Sequence, residues 1–277
     1  MNTAEHKRPA SGLAPRGLEL VIARYREDLS WLRELGLPAT VYNKGPALTS
    51  DLLKPLAPQP DVLPPQPDSL PPSTLRPDAL QSGSPQANTL QTGPRVIPLP
   101  NIGREAHTFF THIINEYKDL PEWTAFMQGD PFAHLAPPQE PRPSPAALRQ
   151  KLLDLVALGR PFAGLAWFRL RCDGLGRPHD LADPAKEGRW KGWGKDIPVA
   201  QVFEALFDAP APQEFIARAP TGNMLVRRER ILARPLEFYR RALELVLADA
   251  DDARNTGHAF ERLWQAVFAG ASAKARP

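Results

Sequence analysis

Between residues 18 and 42 the sequence sets out a strand, a helix and a second strand, and that order leaves few architectures open. Leu18-Glu19-Leu20-Val21-Ile22-Ala23-Arg24-Tyr25 is a short apolar run with β-branched residues, the pattern of a buried strand. Asp28 is a good N-cap for Leu29 to Leu35, and Gly36 closes that helix. Ala39-Thr40-Val41-Tyr42 is the second strand. A helix between two strands so close together makes a βαβ unit, whose parallel sheet needs cover on both faces. The expectation is therefore an α/β fold with a mostly parallel sheet flanked by helices.

The rest of the chain supplies that cover, after an interruption. From residue 46 to 93 the periodicity dissolves into Pro-Pro pairs separated by Gln, Ser, Asp and Thr. Proline donates no backbone hydrogen bond, so this stretch reads as a long insertion, disordered or in polyproline II. It accounts for much of the 33 Pro among 277 residues. A Pro-rich ligand for a partner domain is the other reading of it. Order returns at Arg95. Residues 106, 109, 110, 113 and 114 are apolar at helical spacing over Glu105 to Tyr117. Trp123 to Met127 reads as a buried strand, and Ser144 with Pro145 opens another helix. Phe162 to Leu170 reads as one strand, and 173 to 196 as a polar, Gly-rich loop. Val199 to Phe207 is helical. Glu214 to Ala219 and Met224 to Arg227 read as strands joined by a tight turn at Pro220-Thr221-Gly222-Asn223. Two helices follow, Pro235 to Ala248 and His258 to Phe268. The expected organisation is a tail over 1–16, a single domain over 17–270 carrying the 46–93 insertion, and a tail over 271–277.

Composition excludes several classes. Hydrophobic content of 42%, six Trp and twelve Phe fit a folded core. A net charge of +3 arises from 34 basic and 31 acidic residues scattered along the chain, with no dense basic block interleaved with aromatics, so nucleic acid is not the expected partner. Cys172 is the single cysteine, which excludes an internal disulfide or a Cys-based zinc site and reads as an inert, semi-buried thiol. No window approaches 18 apolar residues and the N-terminal stretch has no apolar signal core. The expectation is a soluble, cytoplasmic protein without a transmembrane segment; oligomeric state stays open.

Polar chemistry concentrates at strand ends and helix starts, where α/β proteins bind ligands. Asn101-Ile102-Gly103-Arg104-Glu105 precedes the helix that carries His107 and His112. A helix N-terminus offers free N–H groups, Arg104 adds charge for a phosphate or carboxylate, and Gly103 permits close backbone approach. An N-cap Asn with solvated charges explains the same segment. Five residues separate the two histidines, too far around the helix to share a metal, and His107 is the better candidate. Gln128-Gly129-Asp130 ends a buried strand, where Asp130 suits a divalent cation bridging phosphates, a sugar hydroxyl, or a plain turn. Arg24 and Tyr25 end the first strand, and Asn43-Lys44-Gly45 the second, so all of these converge on one edge. Asn223 sits in the tight turn. His258 and Glu261 share a face of the terminal helix, with a solvated pair as the plain alternative.

These residues carry a resemblance. Val21 to Leu32 fits V-x-A-R-Y-x-E-D-L-x-W-L, Tyr42 to Gly45 fits Y-N-K-G, and Pro100 to Phe109 fits P-N-x-G-R-E-A-H-T-F. Gln128 to His134 fits Q-G-x-P-F-x-H, and Glu261 to Trp264 fits E-R-L-W. Together they resemble the family named domain of unknown function 3431, a label that carries no activity. At a second level, the order of parts is similar to GT-A-type (Rossmann-like) nucleotide-sugar glycosyltransferases, especially those of capsule and lipopolysaccharide synthesis. Those show an opening βαβ half, an N-x-G-R segment before a helix and a D-x-D turn after a buried strand. A G-N-M-F-V-like strand and a late E-R-L-F/W helix follow; here these are Thr221 to Val226 and Phe260 to Trp264. The likeness implies a nucleotide-sugar donor, with Arg24 and Tyr25 at the nucleotide, Asn101, Arg104 and His107 at phosphate or sugar, and Asp130 with Mn²⁺ or Mg²⁺ at the diphosphate. Asn43, Lys44, Gly103, Glu105, Gln128 and Asn223 complete the binding set, and Glu261 or His258 approaches the acceptor. Gln128-Gly129-Asp130 keeps only one of the two D-x-D carboxylates, so Arg104 or Lys44 stands in to neutralise phosphate. The alternatives are a carbohydrate- or nucleotide-binding module without catalysis, and a sugar or phosphoester hydrolase using His107 and Asp130.

Deleting residues 50–92 leaves a protein that folds, because nothing there has core-forming periodicity. A cooperative urea transition in the deletion variant is the expected result, and its loss would refute the reading.

Overall fold

β1 (Leu18–Arg24) is buried on both sides. Leu18, Leu20 and Ile22 enter one apolar cluster while Val21 enters another, with Ala23 packed against it. Alternate side chains of a strand point to opposite faces, so β1 must be covered twice. It pairs in parallel with β2 (Ala39–Asn43), Ile22 opposite Val41, and with β4 (Trp123–Gln128), Ile22 opposite Met127. The coordinates are a computed structural model, which describes residues 17–48, 93–177 and 196–269. Both expected tails, the insertion from 49 to 92 and most of the 173–196 loop lie outside the described residues.

The main sheet has six strands in the order β3-β2-β1-β4-β8-β5, where β3 is Arg95–Pro98, β5 is Phe162–Gly164 and β8 is Met224–Arg227. β2 and β3 pair in parallel, and β8 runs antiparallel to both β4 and β5. The mostly parallel α/β sheet read from the sequence is therefore present, with one strand reversed.

α1 (Trp31–Leu35) and α3 (Pro145–Ala157) cover one face through Trp31, Leu32, Leu35, Leu148 and Leu152. Gly36 closes α1 with φ 61°, and the Ser144 hydroxyl accepts the Ala147 N–H at 3.2 Å to open α3. Asp28 bonds the Ser30 N–H and hydroxyl at 3.0 and 2.6 Å, so it organises the turn before α1, which begins at Trp31. α2 (Arg104–Glu116) covers the other face with Ala106, Phe109, Phe110 and Ile113. α4 (Val199–Phe207), α6 (Leu236–Leu247) and α7 (Thr256–Ala269) join it there. The short α5 (Arg228–Leu232) follows β8 directly. Phe126 of β4 lies between Phe109 (centroids 5.0 Å apart) and Phe268 (6.0 Å, stacked), and Trp264 sits 5.6 Å from Phe109.

Two expectations are corrected. Phe162 to Leu170 is two strands: β5 ends at Gly164, and β6 (Leu170–Cys172) belongs to a separate two-stranded sheet with β7 (Phe215–Ala217). Between them the backbone leaves the sheet, Leu165 N–H bonding the Asn223 carbonyl at 2.9 Å and Trp167 N–H the His134 carbonyl at 3.0 Å. The strands around Thr221-Gly222-Asn223 are likewise no hairpin. β7 pairs with β6 and β8 with β4 and β5, so the turn carries the chain from the small sheet into the large one. Cys172 is buried, and burial pushes its thiol up to about 11, as an inert thiol requires. Among the described residues no helix is long and apolar enough to cross a membrane.

Phe126→Ala removes the ring between those two aromatics and should destabilise the protein by about 3–5 kcal/mol, read from the urea midpoint at unchanged slope.

Candidate functional site at the carboxyl edge of the sheet

The carboxyl ends of β1, β2 and β4 meet the start of α2, the 221–223 turn and the start of α7. Strand order and connection together make this a switch point: the chain steps from β1 through β2 to β3 on one side, then crosses by α2 to β4 on the other.

The first layer of this edge is a frame of internal bonds. Arg24 is buried, its Nε donating to the Glu27 carbonyl at 3.0 Å and its Nη1 to Asn43 Oδ1 and the Pro46 carbonyl at 2.6 and 2.8 Å. Asn43 returns a bond to the same Pro46 carbonyl at 3.0 Å. Gly45 is obligatory here, since a Cβ would overlap the carbonyl oxygen of Tyr25. Glu27 accepts the N–H groups of Tyr25 and Arg26 at 2.7 and 3.0 Å. Tyr25 itself is 39% exposed, with the Arg26 guanidinium 4.8 Å from its ring centroid. On the β4 side, buried Asn223 accepts the Gln128 N–H at 3.0 Å and donates to the Thr221 hydroxyl at 3.1 Å, while Gln128 Nε2 donates to the Thr221 carbonyl at 2.8 Å.

The entry to α2 is the second layer. Gly103 and Arg104 both have left-handed backbones, φ 58° and 48°, a conformation costly for arginine. Any Cβ on Gly103 would overlap Val246 of α6, so the close approach this glycine permits is to the protein's own core. Lys44 Nζ donates to the Ile102 carbonyl at 2.7 Å and to the Arg104 carbonyl; burial, against the attraction of Glu105, lowers its pKa to about 8. His107 is buried beneath this turn and held down to about 4 by burial, with Lys44 adding to the effect, so it is neutral near pH 7. Asn101 is exposed on the preceding loop.

The third layer is a charge cluster that joins the start of α2 to the start of α7. Arg104 Nε lies 3.7 Å from Glu261 Oε1 and 3.8 Å from Asp252 Oδ2. Glu261 also pairs with Arg262 at 2.9 Å, and Asp252 lies 3.4 Å from His258 Nδ1. Burial pushes the Glu261 carboxyl up to about 7, with Glu105 reinforcing it and Arg262, His258 and Arg104 opposing. A carboxyl poised near neutrality in a cleft marks a functional candidate, since it can take or give a proton at physiological pH. Glu105 stands beside Gly222. Asp130 pairs with Arg142 at 3.1 Å, and His134 feels the charges of both Asp130 and Glu105. Among the described residues no three His, Cys, Asp or Glu side chains group to hold a metal ion.

The structure thus gathers the residues singled out in the sequence at one edge, and sorts them. Arg104 and Glu261 pair with each other, Tyr25, Glu105 and Asp130 stand at the same edge, Arg24, Asn43, Lys44, Gln128 and Asn223 bond to the protein's own chain, and His107 and Gly103 support the turn. Asp252 and Arg142 join them and were not singled out, while Arg262 and His134 entered only as motif positions. Asp252 resembles an ordinary helix-start residue, and it is one, accepting the Gly257 N–H at 2.8 Å through its other oxygen.

A three-layer α/β protein with polar and charged side chains gathered at the carboxyl edge of its sheet is the class so defined. The chain belongs to the family described as protein of unknown function (DUF3431), whose model matches residues 87–277. The matched region begins beyond the motifs at Val21 to Leu32 and Tyr42 to Gly45. No curated protein and no solved structure matches the chain.

Glu261 makes the fold pH-sensitive with a definite sign. Its folded pKa is raised from 4.5 to about 7, so the unfolded chain releases this proton first and stability falls as pH rises from about 4.5 to 7. Glu261→Gln should flatten that slope, by on the order of 2 kcal/mol across the window, in urea titrations at pH 4.5 and 7.5.

Proposed function

We propose that this chain is a GT-A-like glycosyltransferase that binds a nucleotide-sugar donor along the carboxyl edge of its sheet. The observation that carries the proposal is Glu261, a carboxyl with a pKa near 7 held between Arg104 and Arg262 beside Glu105. Order of parts supports it: the opening βαβ, the Asn101-to-Arg104 turn before α2, Gln128-Gly129-Asp130 at the end of buried β4, the Thr221-to-Val226 strand and the Glu261-to-Trp264 helix each stand around this one cleft.

In this reading Tyr25 lines the nucleotide, and Arg104, with the N–H groups of the first turn of α2, takes the charge of the diphosphate. Asp130 offers one accessible carboxylate. That donor set suits Mn²⁺ or Mg²⁺ held jointly by a single carboxylate and the substrate's phosphates, with water completing the shell, and does not suit an all-protein cage. Such an ion would neutralise the leaving diphosphate. Glu261 accepts the proton of an acceptor hydroxyl as that oxygen bonds the anomeric carbon and the diphosphate departs with the electron pair. His107, neutral and buried, acts by shaping the turn.

A binding module without catalysis is the second reading. It is favoured by the pairing of Asp130 with Arg142, which occupies the only carboxylate of the Gln128-Gly129-Asp130 turn.

A thermal-shift panel of nucleoside diphosphates and nucleotide-sugars, with and without Mn²⁺, tests both. A shift for one nucleotide, reduced in Asp130→Ala and retained in Glu261→Gln with transfer slowed about 10²- to 10⁴-fold, is the transferase result. Binding with no turnover gives the module, and no shift with any nucleotide overturns the donor site.

A further inference from the structure

We infer that Lys44 is a positioning residue: its ammonium clamps the left-handed turn at Gly103 and Arg104, and so fixes Arg104 and Glu105 at the cleft. Three independent observations converge on it. The Nζ reaches the carbonyl oxygens of Ile102 and Arg104, one on each side of Gly103. Arg104 keeps a positive φ of 48°, which a side-chain-bearing residue adopts only when its surroundings hold it there. The far side of the turn is closed by Val246, which leaves no room for the backbone to relax in that direction, and by the Gly103 N–H on the Ala250 carbonyl at 3.4 Å.

The charged and titratable groups around the ammonium agree. Glu105 attracts it, Arg104 opposes it, and the buried His107 ring is kept neutral partly by it. A lysine drawn out of water this far, with two carbonyls as its acceptors, is engaged by the protein itself. The phosphate-binding role that its place at a strand end suggests falls instead to Arg104, which Lys44 holds in place. Lys44 thus links the exit of β2 to the entry of α2, two points 60 residues apart in the chain. Its bearing on donor binding rests on the transferase reading; the clamp itself does not.

Hydrogen exchange separates the two. In Lys44→Met the amides of Gly103 and His107, whose hydrogen bonds depend on the turn, should exchange at least tenfold faster, while β1 and β4 amides change less than twofold. Adding Arg104→Gly to that variant should recover at least threefold of the protection, because glycine holds a positive φ without a clamp. Should Lys44→Met fail to fold, Lys44→Gln, with its amide nitrogen one bond short, is measured in the same way. Unchanged exchange at Gly103 and His107, or a uniform rise over the whole chain, overturns the proposal, as does absence of recovery with Arg104→Gly. ADP, GDP, UDP and CDP are then titrated into wild type and Lys44→Met. Binding weakened at least fivefold extends the clamp to the ligand, equal binding confines it to the turn, and no binding to wild type counts against the donor reading alone.

Discussion

The central constraint is that β1 is hydrogen-bonded in parallel on both edges and buried on both faces. A strand in that position can be covered only if the chain sends one helix to each side, and it does so: α1 packs with the cluster around Leu20 and Ile22, α2 with the cluster around Val21 and Phe126. Crossing in opposite senses on the two sides of β1 pulls the connections apart at its carboxyl end. The cleft follows from this. Its location is a product of topology before any polar residue is considered.

Topology alone would leave a loose rim, and the residues at the strand ends prevent that. Arg24 ties β1 to β2 through Asn43 and Pro46, Asn223 ties β4 to the turn before β8, and Lys44 reaches across to α2. Buried polar groups need partners, and here each has at least one in a different segment of the chain. What remains is a smaller set of charges centred on Arg104, Glu105, Asp130 and Glu261. Rigid support beneath a few charges is the arrangement a binding site needs. The helix that carries Glu261 is itself fixed at its start by Asp249, which accepts the Thr256 and Arg254 N–H groups, both at 3.0 Å.

Much of this could be read before any coordinates. Strong periodicity gave β1, β2, α2, β4, α3, α6 and α7 to within a residue or two at most ends, because each buries a face whose spacing is visible in the sequence. Convergence of strand ends followed from parallel pairing. The failures share a cause. Phe162 to Phe168 is apolar throughout, so nothing there marks where the chain leaves one sheet for another; the exit is set by Asn223 and His134, both distant in the chain. Turn chemistry at Thr221-Gly222-Asn223 signals a reversal but says nothing of which strands it joins. Polar residues at strand ends were legible as a group, yet their division into frame and outer charges depends on partners such as Pro46 and Ile102 that contribute only backbone carbonyls, which every residue has.

The aromatic packing of α7 sets an order of events during synthesis. Phe260, Trp264 and Phe268 cover Phe109, Phe110 and Phe126, which belong to segments made more than a hundred residues earlier. Until residues 256–268 have left the ribosome, the ring faces they cover stay open, since α6 brings only Tyr239 against Phe110. The core on this side of the nascent chain is therefore completed only when α7 closes over the sheet.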